Sequence, residues 1–201
     1  MMRIVLVAVA IALASSSAAL AFDADTQAVI DRQKISKRVS ITDMATLMRS
    51  SEKWCYDNQE HSCAWTDVYV EVTEEGAAFE IANAWDADTD IAFIDTGTFM
   101  DGRYICETGE DWVPTVRATR RDGNGPLDGR LLWDLKKEIS AAIAADEPAC
   151  YDYLYMRSDA DYLQVWLLQR QYVDGVHDAA NDVAVTVHFN AQDAAGLTLR
   201  E

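Results

Sequence analysis

Two blocks of residues with a two-residue period, separated by one long helical segment, constrain this fold more than any other feature. Alternating apolar and polar residues are typical of strands that bury one face. The predicted strands lie within residues 64–106, 150–157, 162–173 and 181–189. Turn signals such as Asp101-Gly102 separate these strands, and no helical pattern alternates with them. Runs of strands without intervening helices predict an antiparallel meander of about seven strands rather than a wound parallel sheet.

The segment between the two blocks has the period of a helix. Its apolar residues recur at every fourth position: Leu127, Leu131, Leu135, Ile139 and Ile143. This stripe predicts an amphipathic helix that packs on the sheet, with Leu135 and Ile139 buried at its centre. Two shorter helical patterns follow Phe22. The predicted fold class is therefore α+β: a single domain over residues 22–201, with N-terminal helices and a meander sheet packed on the long helix.

Residues 1–21 have the pattern of a secretory signal peptide. Arg3 precedes the apolar run Ile4–Leu13, and Ala19-Leu20-Ala21 supplies the small residues that a signal peptidase requires. The alternative is an uncleaved membrane anchor, but this run is much shorter than the roughly 20 residues that span a bilayer. We therefore predict cleavage before Phe22, no stable membrane insertion afterwards, and a location in the periplasm or outside the cell.

Four cysteines follow the predicted cleavage point, and an even number in an exported chain favours two disulfides. A local loop can join Cys55 to Cys63 across a short polar stretch. Cys106 and Cys150 are then left to join the end of a strand to the segment after the long helix. We predict these two pairs among the three pairings that four cysteines allow. A metal site is disfavoured because the Cys55–Cys63 spacing matches no common zinc pattern.

The charge and composition exclude several classes of function. Acidic residues outnumber Lys and Arg by 34 to 17, giving a formal net charge of -17. A surface this negative repels phosphate groups, so we expect no nucleic-acid partner. The apolar fraction of 50% predicts a folded core rather than a disordered chain. No P-loop or dinucleotide-binding pattern occurs in the sequence, and we expect no cofactor.

Catalytic and metal-binding candidates are few. His188 lies on a predicted strand and is the one catalytic candidate, but no partner for it can be chosen among so many carboxylates. A hydrogen-bonded sheet histidine is the simpler interpretation. Asp86, Asp88 and Asp90 have the spacing that begins many calcium loops, but Ile91 occupies the position where such a loop needs glycine. We interpret this segment as a solvated acidic hairpin, with calcium binding as the alternative.

A set of aromatic residues is the main candidate for a binding surface. Alternation places Trp65 and Tyr69 on one face of a strand together with Asp67, while Val70 belongs to the opposite, aliphatic face. The aliphatic face is expected against the long helix, and the mixed face suits a ligand with both apolar and polar groups. The predicted binding residues are Trp65, Tyr69, Tyr151, Tyr153, Tyr155, Tyr162, Trp166 and Arg170.

Two functional hypotheses follow from these observations. The preferred hypothesis is an exported, disulfide-stabilised, non-catalytic protein that binds a small molecule, a glycan, a peptide or an envelope protein. The alternative is a small cell-envelope hydrolase that uses carboxylate and histidine acid–base chemistry, because such enzymes leave weak sequence signatures. A cleft with two carboxylates close together, one of them desolvated, would favour the enzyme, whereas an open aromatic groove would favour the binding protein.

Overall fold

The computed structural model describes residues 21–109, 111–143 and 148–201. The helices are α1 (Ala24–Arg32), α2 (Ile41–Ser50), α3 (Gly129–Ile143) and α4 (Ala191–Ala195). The strands are β1 (Lys37–Arg38), β2 (Lys53–Tyr56), β3 (Ser62–Cys63), β4 (Trp65–Val72), β5 (Gly76–Ala84), β6 (Thr89–Met100), β7 (Tyr104–Glu107), β8 (Arg117–Arg120), β9 (Cys150–Asp159), β10 (Gln164–Val173), β11 (Val176–His177), β12 (Val183–His188) and β13 (Thr198–Leu199).

The predicted signal peptide, residues 1–21, lies outside the described residues except for Ala21. Within the part of the chain that the structure describes, no helix has both the length and the apolar character that crossing a membrane requires.

Eight strands form a closed antiparallel barrel, and this corrects the predicted α+β meander. Around the barrel the order is β2, β4, β5, β6, β7, β9, β10 and β12, and β12 pairs with β2 again. Strands β1, β8 and β11 attach to the outside of this ring as additional members of the same sheet. The prediction of a sheet packed on a long helix is wrong, because the sheet encloses its own side chains instead of burying them against a helix.

The short strand β2 completes the ring, and its absence from the predicted strands explains the error. Trp54 in β2 is opposite Asp67 of β4 on one side and Val187 of β12 on the other. This strand contains only four residues, too few to display an alternating pattern between a helix and a polar loop. Closure pairs the two edges that a seven-strand meander would leave open.

Helix α3 packs on one side of the barrel rather than across its interior. Ile139 is fully buried, in a cluster that includes Phe93 of the long strand β6 and Val116 in the loop before β8. Leu135 is only partly buried against the same cluster, and Trp133 is 61% exposed. The helix therefore contributes a satellite core that is separate from the main core.

The main core joins the N-terminal helix α2 to the barrel. Met44, Leu47 and Met48 of this helix are buried in one cluster with Trp54 and Val187 of the barrel strands. The helix begins after Ser40, whose side-chain oxygen accepts a hydrogen bond from the backbone N–H of Asp43. The same cluster contains Tyr56 and Tyr153, so this core combines aliphatic and aromatic side chains.

The two predicted disulfides are confirmed. Cys55 is bonded to Cys63, and Cys106 is bonded to Cys150. The second bond joins residues that lie directly opposite each other on β7 and β9. Two disulfides with no free thiol are compatible with an exported, disulfide-stabilised domain, since such bonds persist mainly in oxidising compartments.

Candidate functional site

A cavity of about 260 Å³ lies inside the barrel. Six of its lining residues are aromatic: Tyr56, Trp65, Tyr69, Phe79, Tyr151 and Tyr153. Three are carboxylic acids and three are amides: Asp67, Asp95, Glu107, Gln169, Gln171 and Asn181. The others are Ile81, Gly97, Ile105 and Val183. None of the described residues that line the cavity is Lys, Arg or His, so the charged side chains on its wall are all acidic.

The cavity extends from the buried interior to the protein surface. Tyr56 and Tyr153, at 1% and 2% exposure, form its deepest wall. Asn181 also lines the cavity but is exposed, at the end of a short 3-10 turn before β12. No residue of α1 or α2 contributes to the lining among the described residues. The lining of the cavity thus includes both fully buried aromatic residues and an exposed residue, Asn181.

Asp67 is a cavity carboxyl whose ionisation is strongly perturbed. Its side chain is 5% exposed, and its Oδ2 accepts a hydrogen bond of 2.6 Å from the hydroxyl of Tyr56. Its Oδ1 is buried without a hydrogen-bond partner among the described residues. The pKa of this carboxyl is raised to about 7, mainly by burial; the hydrogen bond from Tyr56 opposes this rise, and the nearby Asp95 contributes to it. Asp67 can therefore exchange a proton near neutral pH.

Two further tyrosine hydroxyls make hydrogen bonds to other residues that line the cavity. The Tyr151 hydroxyl donates to Oε1 of Glu107 at 2.7 Å, and the second Glu107 oxygen accepts from the backbone N–H of Ala149 at 3.0 Å. Nε2 of Gln169 donates to the Tyr153 hydroxyl at 2.8 Å. The pKa of Tyr153 is raised to about 12, mainly by burial and also by the nearby Asp67. These hydroxyls therefore stay protonated at neutral pH and act as hydrogen-bonding groups.

Aromatic rings form a continuous part of the cavity wall. The rings of Tyr56 and Trp65 are stacked with their centroids 4.6 Å apart. Tyr69 contacts Trp54 at 5.2 Å and Phe79 at 5.4 Å between ring centroids. Such packing fixes the ring faces that a ligand would meet.

Four of the predicted binding residues line this cavity. Trp65 and Tyr69 project from β4, and Tyr151 and Tyr153 project from β9. Tyr155 is buried in the main core, where its hydroxyl hydrogen-bonds to Ser158 at 2.9 Å. The alternation that grouped these tyrosines on one face thus describes an inward face of the barrel.

The remaining predicted binding residues lie outside the cavity. Tyr162 is 67% exposed. The Arg157 guanidinium lies 3.5 Å from the ring centroid of Trp166, and Arg170 pairs with Asp152 at 2.7 Å. The pairing of β9 with β10 explains why Trp166 and Arg170 do not line the cavity. The cavity residues Tyr153 and Tyr151 of β9 lie opposite Gln169 and Gln171 of β10, and these two glutamines line the cavity instead.

Several cavity residues were not among the predicted binding residues. Asp95 and Glu107 come from β6 and β7, and Tyr56 comes from the unpredicted strand β2. The strand pairing could have identified Asp95 once Phe79 was known to point inward. Asp95 lies directly opposite Phe79 on the neighbouring strand, so the two side chains share a face of the sheet. The contribution of Tyr56 depends on the closure of the barrel, which has no local sequence signal.

His188 lies outside the cavity lining. It is completely buried, and its Nδ1 is 2.5 Å from Oδ2 of Asp193 in α4. Gln164 donates a hydrogen bond to the same carboxylate oxygen at 2.9 Å. Burial lowers the pKa of His188, and the hydrogen bond with Asp193 opposes this effect. This geometry ties α4 to the barrel and offers no access for a substrate.

The predicted metal candidates are engaged in contacts with the protein. Asp86 accepts a hydrogen bond from the backbone N–H of Asp88 at 2.9 Å, and Asp90 pairs with Arg121 at 2.8 Å. Within residues 21–109, 111–143 and 148–201, no group of three His, Cys, Asp or Glu side chains is arranged to hold a metal ion.

The fold and the site together define a closed antiparallel barrel with an acidic, aromatic internal cavity. Comparisons with protein-family models, with curated proteins and with solved structures give no match for this chain. Because a fold alone does not define a function, the chemistry of the cavity has to indicate what this protein does.

Proposed function

We propose that this protein binds a small organic molecule inside its barrel. The observation that supports this function is the cavity of about 260 Å³, which is lined by aromatic rings and a few polar groups. Binding pockets commonly combine apolar walls with a small number of polar groups that orient the ligand. At roughly 30 Å³ per water molecule, the volume corresponds to about nine water-sized groups. This size favours a small molecule over the glycan, peptide and envelope-protein partners that the sequence also allowed.

Both disulfides adjoin residues of the cavity wall, which supports a preformed binding site. Cys55 precedes Tyr56, Cys106 precedes Glu107, and Cys150 precedes Tyr151. The Cys106–Cys150 bond thus crosses the same pair of strands as the hydrogen bond between Tyr151 and Glu107. A wall held in place before the ligand arrives reduces the conformational cost of binding. An exported protein also needs such reinforcement outside the reducing cytosol.

A cavity-filling substitution tests this function. Val183 lines the cavity, so Val183→Phe is expected to reduce the affinity for a ligand in the barrel by at least about tenfold. Val176 is 69% exposed on β11, and Val176→Phe adds the same volume outside the cavity. The probes are 2-phenylethylamine, 2-phenylethanol and 3-phenylpropanoate, three molecules of similar size and different charge. NMR titration of the Trp65 indole and the Tyr153 amide reports occupancy. If no probe shifts these signals, or if both variants bind as the parent does, the function is rejected.

Acid–base catalysis in the same cavity is a second candidate function. The observation that favours it is Asp67, a buried carboxyl with a pKa raised to about 7 beside a second carboxyl, Asp95. His188 would take no part, because it lies outside the cavity lining. The two functions differ in the fate of the ligand. Recovery of the bound molecule unchanged supports binding alone, whereas conversion that Asp67→Asn abolishes supports an enzyme.

A further inference from the structure

The charged side chains that line the cavity among the described residues are all acidic. Asp67, Asp95 and Glu107 line it, and no cationic side chain is among its described lining residues. Only Asp67 among these three is almost fully buried. A buried carboxylate is costly unless a hydrogen-bond donor or an opposite charge accompanies it. An anionic ligand would increase this cost, whereas a cationic ligand would remove it.

The Asp67 carboxyl also has an acceptor oxygen to which a ligand could donate a hydrogen bond. Tyr56 satisfies Oδ2 of Asp67, but Oδ1 has no partner among the described residues. Glu107 already accepts hydrogen bonds on both oxygens, from Tyr151 and from the backbone N–H of Ala149. Among the described residues, Asp67 therefore offers a buried acceptor oxygen to which no protein group donates. An ammonium group carries three donors and no acceptor, so it matches this requirement.

The aromatic wall suits a cation that also carries apolar atoms. The stacked pair Tyr56 and Trp65 and the ring of Tyr69 line the same cavity as Asp67. Aromatic faces attract an ammonium group within roughly 6 Å of the ring centroid, and tryptophan does so best. The same rings contact methylene or aryl groups through dispersion and burial.

We infer that the ligand is a small organic amine whose protonated nitrogen pairs with Asp67 and whose apolar part lies against the rings of Trp65 and Tyr69. This inference rests on the proposed binding function and specifies the chemical class of the ligand. The volume of about 260 Å³ admits an arylalkylamine or a short alkylamine.

Binding of such a cation should depend on pH. The titratable groups that interact with Asp67 are the carboxyl of Asp95 and the hydroxyls of four tyrosines: Tyr56, Tyr69, Tyr151 and Tyr153. The amine needs the ionised carboxylate, and the pKa of Asp67 is raised to about 7 in the free protein. The affinity should therefore rise between pH 5 and pH 8, by on the order of 100-fold at most.

The experiment compares 2-phenylethylamine with 2-phenylethanol and 3-phenylpropanoate by calorimetric titration of the full folded protein. The amine is expected to bind at least about tenfold more tightly than the alcohol at pH 8, and the carboxylate should not bind. Asp67→Asn should reduce the affinity for the amine at least about tenfold while leaving that for the alcohol within about twofold. Asp128 is exposed and does not line the cavity, so Asp128→Asn removes the same charge as a control and should change neither affinity.

The outcomes separate this inference from the proposed function. If the alcohol binds as tightly as the amine and Val183→Phe blocks both, the cavity binds small molecules but the inferred preference for amines is overturned. If the two Asn variants reduce amine affinity equally, the general charge of the protein attracts the amine and the role of Asp67 is overturned. If no probe binds, the proposed function is rejected together with the inference.

Discussion

Asp67→Asn should stabilise the protein at neutral and alkaline pH. Above pH 7 the native barrel must hold an ionised carboxylate that is 5% exposed and has one oxygen without a partner among the described residues. An asparagine has nearly the same shape and can accept the hydrogen bond from Tyr56 without carrying a charge. The substitution therefore removes the desolvation cost while keeping the contact.

The pKa of Asp67 sets the size and the sign of this effect. Its pKa is raised from 3.8 to about 7, mainly by burial, and each unit corresponds to about 1.4 kcal/mol. The native state thus binds more protons than the unfolded state between these two values, so its stability falls as the pH rises through this window. The full cost approaches about 4 kcal/mol above pH 7. About 2–3 kcal/mol of it should develop between pH 5 and pH 8.

Urea unfolding measures this effect as the free energy of unfolding. It is carried out at several pH values from 5 to 8 on the parent, on Asp67→Asn and on the control Asp128→Asn. The difference in unfolding free energy between Asp67→Asn and the parent should grow with pH, whereas the Asp128→Asn difference should not. Burial lowers the pKa of His188 and makes stability rise with pH near neutrality, but this contribution is common to all three proteins and cancels. If the difference in unfolding free energy between Asp67→Asn and the parent stays constant between pH 5 and pH 8, ionisation of the buried Asp67 carboxyl does not destabilise the protein.

Three further changes test the fold. Asp152 is fully buried between two arginines, so Asp152→Ala should destabilise the protein by about 3–5 kcal/mol in urea unfolding, and a loss below about 1 kcal/mol would contradict this role. Replacing Cys106 and Cys150 together by Ser opens the longer disulfide loop and should cost about 4 kcal/mol in the chain-entropy model, with an unchanged thermal midpoint as the contrary result. Ile139→Ala should cost about 2–5 kcal/mol because Ile139 is completely buried, whereas the exposed Trp133→Ala on the same helix should cost little; equal losses would show that α3 packs through another face.

Local sequence signals determined the strands, the turns and the disulfides. The two-residue period located most strands, because side chains on a strand point alternately to its two faces. The short spacing of Cys55 and Cys63 left Cys106 with Cys150, and the direct pairing of β7 with β9 realises that bond. The strands and turns depend on residues that are close in the chain, and the second disulfide follows from the number of cysteines. The sequence contains both kinds of information.

The tertiary structure decided that the sheet closes and which face lies inside. Alternation separates Val70 from Tyr69 and Asp67 but does not say which set is buried. Val70 is 58% exposed, whereas Tyr69 and Asp67 line the cavity. In a sheet packed on a helix the aliphatic face would turn inward, but a closed barrel of eight strands needs large side chains to fill its interior. The four-residue strand β2 produces that closure through its pairing with β4 and β12, and pairing between distant strands has no local signature in the sequence.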